Sequence, residues 1–121
     1  MKLILLEDDQ LIALCTGEAL AEAGFEVLSA TGGEQALGLL IDFPGCLLMM
    51  IDVRLDDGLD GWEVARRARK AHPDMAVVYT TTAETLSYQR ECVDRSLLLQ
   101  KPYTLDRAVN AAFEACLLVG S

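Results

Sequence analysis

Basic residues are scarce in this chain: 10 Lys and Arg stand against 19 Asp and Glu, for a formal net charge of −9. A chain this acidic repels DNA, RNA and anionic lipid unless a local basic patch dominates. The nearest approach to a patch is Arg66, Arg67, Arg69 and Lys70, which reads as the solvated face of a helix. Nucleic acid and membrane are therefore not expected partners. Metal-binding cysteine patterns are also missing. None of Cys15, Cys46, Cys92 and Cys116 forms a C-x-x-C pair, and the one histidine, His72, stands before Pro73 with no ligand spacing around it. This excludes a structural zinc site. The cysteines are expected to be reduced and mostly buried as small hydrophobes, as in a cytoplasmic protein. No G-x-G-x-x-G follows any apolar run, which excludes a dinucleotide fingerprint. The longest apolar run, Cys46 to Ile51, is far too short to span a bilayer. Met1 and Lys2 lead straight into strand-like sequence, so no signal peptide is expected. Repeats, linkers and low-complexity segments are absent as well.

What is present is the material of one domain. The 121 residues are 52% apolar, enough to build a core and too many for a disordered chain. Short apolar runs alternate with helical patterns. Strands are expected at Lys2–Leu6, Phe25–Ala30, Cys46–Ile51, Met75–Thr80 and Ser96–Gln100. Helices are expected over about Gln10–Ala23, Glu34–Ile41, Trp62–Ala71 and Ala83–Val93, and from near Thr104, a plausible N-cap, to the end. In the first helix Ile12, Cys15, Ala19, Leu20 and Ala23 share a face. In the last, Leu105, Ala108, Val109, Ala112, Phe113, Cys116 and Leu117 form an apolar stripe assigned to core packing. Gly24 and Pro44-Gly45 punctuate the pattern. Five repeats of strand then helix imply a parallel sheet covered on both faces. The unbroken apolarity of Cys46–Ile51 fits a strand buried on both sides. One domain over 1–121, with no output domain, is the expected organisation.

In an open parallel sheet, ligands bind beyond the carboxyl ends of the strands. Here the first strand ends in Glu7-Asp8-Asp9, the third in Asp52, the fourth in Thr80-Thr81-Thr82 and the fifth in Lys101-Pro102. Carboxylates, a hydroxyl and an ammonium converge on one edge. Carboxylates crowded together raise each other's pKa, and a hard divalent cation removes that cost. With a phosphate donor, Mg²⁺ and Lys101 neutralise phosphoryl oxygens while an aspartate attacks phosphorus to form an acyl phosphate. A slip of one residue would put Asp9 in place of Asp8, or Thr81 in place of Thr82. Either Asp8 or Asp9 could also cap the first helix. Asp56, Asp57 and Asp60 lack the closing Glu of an EF-hand and read as a solvated loop. Trp62 reads as a packing residue at a helix start.

Taken together, Leu5-Leu6-Glu7-Asp8-Asp9, Ile51-Asp52-Val53, Asp60-Gly61-Trp62-Glu63, Thr82-Ala83 and Lys101-Pro102 resemble the response-regulator receiver family of two-component signalling over essentially the whole chain. The resemblance implies a (βα)5 doubly wound, flavodoxin-like and CheY-like α/β fold with strand order 2-1-3-4-5. It implies Asp52 as phospho-acceptor, with Asp8 a direct metal ligand and Glu7 acting on the metal through water. The backbone carbonyl of Arg54 is a further ligand, and the metal is Mg²⁺, with Mn²⁺ able to substitute. Thr82 and Lys101 would bond phosphoryl oxygens, Lys101–Pro102 would be cis, and Ala83 is small beside the phosphate. Expected partners are a histidine kinase or histidine phosphotransfer protein as donor, and a downstream protein that reads the surface of the fourth helix, fifth strand and fifth helix. The product is a cytoplasmic switch rather than an enzyme acting on other substrates.

Two features depart from the family or extend it. Leu98 stands where many receivers carry the aromatic residue three positions before the lysine, and Tyr103 is the nearby aromatic. Signalling is then expected to move the segment after Thr82 and the Ala83–Val93 helix without an aromatic flip. Arg54 and Glu84 each stand two residues beyond a site residue. They either pair and slow loss of the phosphoryl group, or are two exposed charges of little mutual energy. Other classes fit less well. An aspartate-nucleophile phosphatase would have D-x-D-x-T, whereas Asp52-Val53-Arg54 lacks the second Asp. An FMN carrier would have a Ser/Thr-rich phosphate loop where Glu7-Asp8-Asp9 stands. A receiver taken from a hybrid histidine kinase remains an alternative to a free-standing regulator.

Overall fold

The computed structural model describes residues 1–55, 58–82 and 85–120, with the side chains of 85 and 86 left aside. Five strands, β1 (Lys2–Leu6), β2 (Glu26–Ala30), β3 (Cys46–Asp52), β4 (Ala76–Thr81) and β5 (Ser96–Gln100), alternate with helices α1 (Gln10–Glu22), α2 (Gly33–Asp42), α3 (Gly61–Ala71), α4 (Thr85–Glu91) and α5 (Leu105–Gly120). The strands form one sheet in the order β2-β1-β3-β4-β5, every neighbouring pair parallel. This is the expected doubly wound fold.

Side chains alternate across a strand, and β1 from Leu3, β3 from Leu48 and the whole of β4 are buried on both faces. Ile4, Leu6, Met49, Ile51, Val77 and Tyr79 point into one core, closed by Ala36 and Leu40 of α2 and by Val64, Ala65 and Ala68 of α3. Leu3, Leu5, Leu48, Met50 and Val78 point into the other, closed by Leu20 of α1 and by Ala108, Ala112 and Ala115 of α5. That double burial is the physical reason the central strands read as continuous apolar runs.

Boundaries moved by one residue where a cap or a helix-closing bond decides. Phe25 is not in β2, because its amide still donates to the Leu20 carbonyl (3.1 Å) while Gly24 turns the chain at φ +107°. Asp60 caps α3 by accepting from the Glu63 amide (2.9 Å), so the helix begins at Gly61. Thr104 is the expected cap of α5, its hydroxyl accepting from the Arg107 amide at 3.2 Å.

Four expectations are corrected. On α1 the buried residues are Thr16 and Leu20, while Cys15 is exposed. Cys92 and Cys116 are only half-buried, and Cys46 is the buried cysteine. On α5 the buried positions are all alanine, whereas Leu117 is 73% exposed and Leu105 and Phe113 also reach solvent. Large side chains on the sheet below, such as Leu5, Leu48 and Met50, already fill the space, so the helix docks through its smallest residues. Arg69 is not on a solvated face either. It is buried and donates from Nε to the Met75 carbonyl (2.9 Å) and from Nη1 to the Asp94 carbonyl (2.7 Å). Arg66 and Arg67 do face solvent, paired with Glu63. No helix among the described residues is long and apolar enough to cross a membrane.

Candidate functional site

The carboxyl edge of the sheet brings the acidic strand ends together. The Glu7 amide donates to the Ala30 carbonyl (3.0 Å), carrying the sheet one residue past β1. This leaves the Glu7 side chain buried. Asp9 turns away to cap α1, its Oδ1 accepting from the amides of Leu11 and Ile12 at 3.0 and 3.1 Å. Asp9 serves the helix, while Glu7, Asp8 and Asp52 gather carboxylate oxygens within 4.8 Å of one another.

Asp52 closes β3 and is 5% exposed. Its backbone neighbourhood is fixed on two sides. The Val53 amide donates to the Thr80 carbonyl (3.0 Å), and the Gly61 amide donates to the Val53 carbonyl (3.1 Å). The Asp52 carboxylate accepts from the Arg54 amide through Oδ1 at 3.0 Å. Its other oxygen, Oδ2, accepts from Lys101 Nζ at 3.2 Å.

Lys101 follows β5, with its amide on the Thr81 carbonyl (2.8 Å) and a cis bond to Pro102. Its ammonium also meets Glu7 Oε1 at 2.7 Å. The remaining Glu7 oxygen accepts from the Asp9 amide at 3.1 Å. Burial pushes the Glu7 carboxyl up, and the Lys101 and Asp9 hydrogen bonds offset this only in part. Burial works to lower Lys101, but its hydrogen bond to Glu7 and the charge of Asp52 outweigh it, and its pKa is raised. The lysine is a fixed cation.

Thr81 is buried within β4, and Thr82, just past it, is exposed and lines the same groove as Lys101. Arg54 is exposed; Glu84, its suggested partner, lies outside the described residues, as do Ala83, Asp56 and Asp57. Leu98 is half-buried against the α3-side core, and Tyr103 packs on the opposite face of the sheet. Tyr103 therefore does not stand in for an aromatic at 98. Trp62 is a packing residue, its ring 4.6 Å from that of Tyr79 and 6.4 Å from that of Tyr88.

Sequence reasoning missed what Gly61 does. A Cβ there would lie 2.5 Å from the Asp52 carbonyl oxygen and 2.7 Å from the Val53 Cα. Only glycine lets the start of α3 approach the strand end this closely. The signal was the glycine placed directly after a capping aspartate. A donor set of three crowded carboxylates, all hard oxygen ligands, suits a small divalent cation. The arrangement thus combines three carboxylates suited to a cation with an ammonium facing two of them.

Comparison with known proteins agrees. The family model for the response regulator receiver domain matches residues 3–113. The response regulator receiver protein CpdR of Brucella abortus is 31% identical over 111 residues, covering 90% of this chain and 91% of that protein. A cyclic di-GMP phosphodiesterase of Thermotoga maritima is 27% identical over 108 residues, and there the chain spans 28% of the relative's length. Among solved structures, a response regulator receiver protein from Sinorhizobium medicae superposes with a TM-score of 0.90 at 28% identity, covering 100% of this chain and 95% of that one. With the fold, the acidic edge and these relatives in agreement, the chain belongs to the response regulator receiver domain family and is a phospho-accepting signalling domain of a two-component system.

Proposed function

We propose that Asp52 is the residue that accepts the phosphoryl group. The observation that carries this reading is Lys101 Nζ, held between Glu7 Oε1 and Asp52 Oδ2 beside a third carboxylate. An oxygen of Asp52 attacks phosphorus, the donor's leaving group departs with its electron pair, and an acyl phosphate forms. Lys101 then faces the transferred group, and its charge offsets the negative charge spread over the phosphoryl oxygens. The Thr82 hydroxyl donates to another of those oxygens.

The carboxylates of Glu7, Asp8 and Asp52 and the carbonyl of Arg54 would hold Mg²⁺, with Mn²⁺ as a substitute. Bound there, the ion would supply positive charge to offset the negative charge of the carboxylates and phosphate. A histidine kinase or a histidine phosphotransfer protein in the cytoplasm supplies the phosphoryl group. A downstream protein reads the result on the surface of α4, β5 and α5. The chain catalyses its own modification and acts on no other substrate. The formal charge of −9 disfavours nucleic acid as the output.

The test is incubation with acetyl phosphate and Mg²⁺, followed by intact mass. One added phosphoryl group on the wild type, absent from Asp52→Asn and from an EDTA control, is the expected result. Equal addition to Asp52→Asn would move the acceptor elsewhere.

A further inference from the structure

The segment that carries Lys101 is tied to α1 by a hydrogen bond that phosphoryl transfer itself does not use. Tyr103 Oη and Thr16 Oγ1 lie 2.9 Å apart across 87 residues of sequence. Thr16 is 1% exposed. A threonine hydroxyl in that position must find a partner inside the protein, and the tyrosine provides it. Burial pushes the Tyr103 phenol up, so the hydroxyl keeps its proton and the bond is neutral.

The two ends of this bond matter because of what adjoins them. Helix α1 starts directly after the acidic pair and is anchored there by the Asp9 cap. Tyr103 stands two residues after Lys101, beyond Pro102. The bond therefore joins the segment of the negative charges to the segment of the positive one. Above it lies an open groove of about 400 Å³, walled by Leu11, Cys15, Thr82, Lys101, Pro102 and Leu105. The loop after β5 is held at Lys101 by its amide on the Thr81 carbonyl at 2.8 Å and at Thr104 by the cap of α5; between these two points the Tyr103 hydroxyl ties it to α1.

We propose that the Tyr103–Thr16 hydrogen bond is a positioning device for Lys101, setting where its ammonium stands relative to Asp52 when the phosphoryl group arrives. This rests on the assignment of Asp52 as acceptor and Lys101 as its phosphoryl partner. Neither Tyr103 nor Thr16 touches the reacting atoms; both act through the lysine.

The test uses Tyr103→Phe, which keeps the ring, Thr16→Val, which keeps the shape, the double variant, and Thr16→Ser, which keeps the hydroxyl. Phosphorylation by acetyl phosphate at saturating Mg²⁺ is followed by intact mass across donor concentrations. Mg²⁺ binding is titrated by the fluorescence of Trp62. Each hydroxyl-deleting variant is expected to lower the maximal rate by about threefold to tenfold, the span of one neutral hydrogen bond. The double variant should match either single one, because both remove the same bond. Thr16→Ser should recover both the rate and the wild-type Mg²⁺ midpoint, because Lys101 also faces Glu7 of the expected cation site. Wild-type rates in both singles, losses that multiply in the double, or a Thr16→Ser variant as slow as Thr16→Val would overturn the proposal. If the wild type takes no phosphoryl group, or Asp52→Asn takes as much, the site assignment fails first and the proposal with it. That failure is visible without any Tyr103 variant.

Discussion

The ammonium of Lys101 lies 2.7 Å from Oε1 of Glu7, nearer than the 3.2 Å that separates it from Oδ2 of Asp52. The lysine thus serves two carboxylates, and both belong to the expected cation site. Lysine and a divalent cation compete for the same negative charge. Lys101→Met is therefore expected to tighten Mg²⁺ binding by about threefold to tenfold, the scale of a partly screened charge pair. Calorimetric titration measures it. The same variant should lose about 100-fold in phosphorylation rate, the usual cost of deleting one group that faces developing charge. Unchanged Mg²⁺ affinity would mean that the Glu7–Lys101 contact does not weigh on the cation site.

Gly61 makes a prediction that its neighbours in type do not. An alanine there would put Cβ 2.5 Å from the Asp52 carbonyl oxygen and 2.7 Å from the Val53 Cα, and both are backbone atoms with nowhere to go. Gly61→Ala is expected to cost about 1–3 kcal/mol in urea unfolding, as overpacking does, and to slow phosphorylation by displacing Asp52. Gly38 sits inside α2 with nothing within 4 Å of the added carbon. Gly38→Ala is expected to stabilise by about 0.5–1 kcal/mol through helix propensity alone. Equal effects at the two sites would contradict the close approach of α3 to β3.

How far the chain could be read in advance follows from what each residue depends on. The apolar runs Cys46–Ile51 and Val77–Tyr79 announce a doubly covered sheet because burial on both faces leaves no polar position in them. The acidic, hydroxyl and lysine residues were legible because each stands where its strand runs out. Arg69 was not. In sequence it is one of four basic residues on α3, and its burial depends on the Met75 and Asp94 carbonyls, which only the folded chain brings to it. On α1 the choice between Cys15 and Thr16 was equally invisible. That helix is apolar on nearly every side, so periodicity could not pick the buried face, and the partner that makes Thr16 welcome is a tyrosine 87 residues away. The pairing of Glu7 with Lys101 was also beyond reach, since both were assigned to a phosphoryl group and a metal rather than to each other.

Arg69 separates buried from exposed charge within one helix. Its guanidinium ties α3 to the turn at Asp94 and Arg95, where Arg95 takes the left-handed φ of 52°. Arg69→Met removes those donors and leaves the Met75 and Asp94 carbonyls to find others, at an expected cost of about 2–4 kcal/mol in unfolding. Arg67, exposed and paired with Glu63 at 3.0 Å, is the contrast: Arg67→Ala should stay within about 0.5 kcal/mol. Comparable losses would mean that Arg69 is not the anchor of that turn.

The same turn decides how a signal can travel without an aromatic at position 98. Tyr88 of α4 donates to the Ser96 carbonyl at 2.8 Å, Ser96 Oγ donates to the Val93 carbonyl at 2.7 Å, and the Val93 amide donates to Tyr79 Oη at 3.0 Å. Arg66 adds a bond to the Glu91 carbonyl at 3.1 Å. The end of α4 and the turn into β5 are thus fastened to α3 and β4 together. If Thr82 bonds the phosphoryl group as proposed, a pull there meets a fixed point near Val93, and rearrangement has to be taken up between the two. Hydrogen exchange on the phosphorylated protein is expected to change over residues 82–88 and to leave 92–96 protected. Tyr88→Phe removes the Ser96 bond, and in that variant the change should spread into 92–96, with amide exchange there faster by about tenfold, the effect of one lost hydrogen bond. If exchange over 82–93 is the same with and without the phosphoryl group, this segment carries no signal. If the wild type already loses protection at Val93, the fastening does not hold and the moving unit is the whole of α4 with its turn.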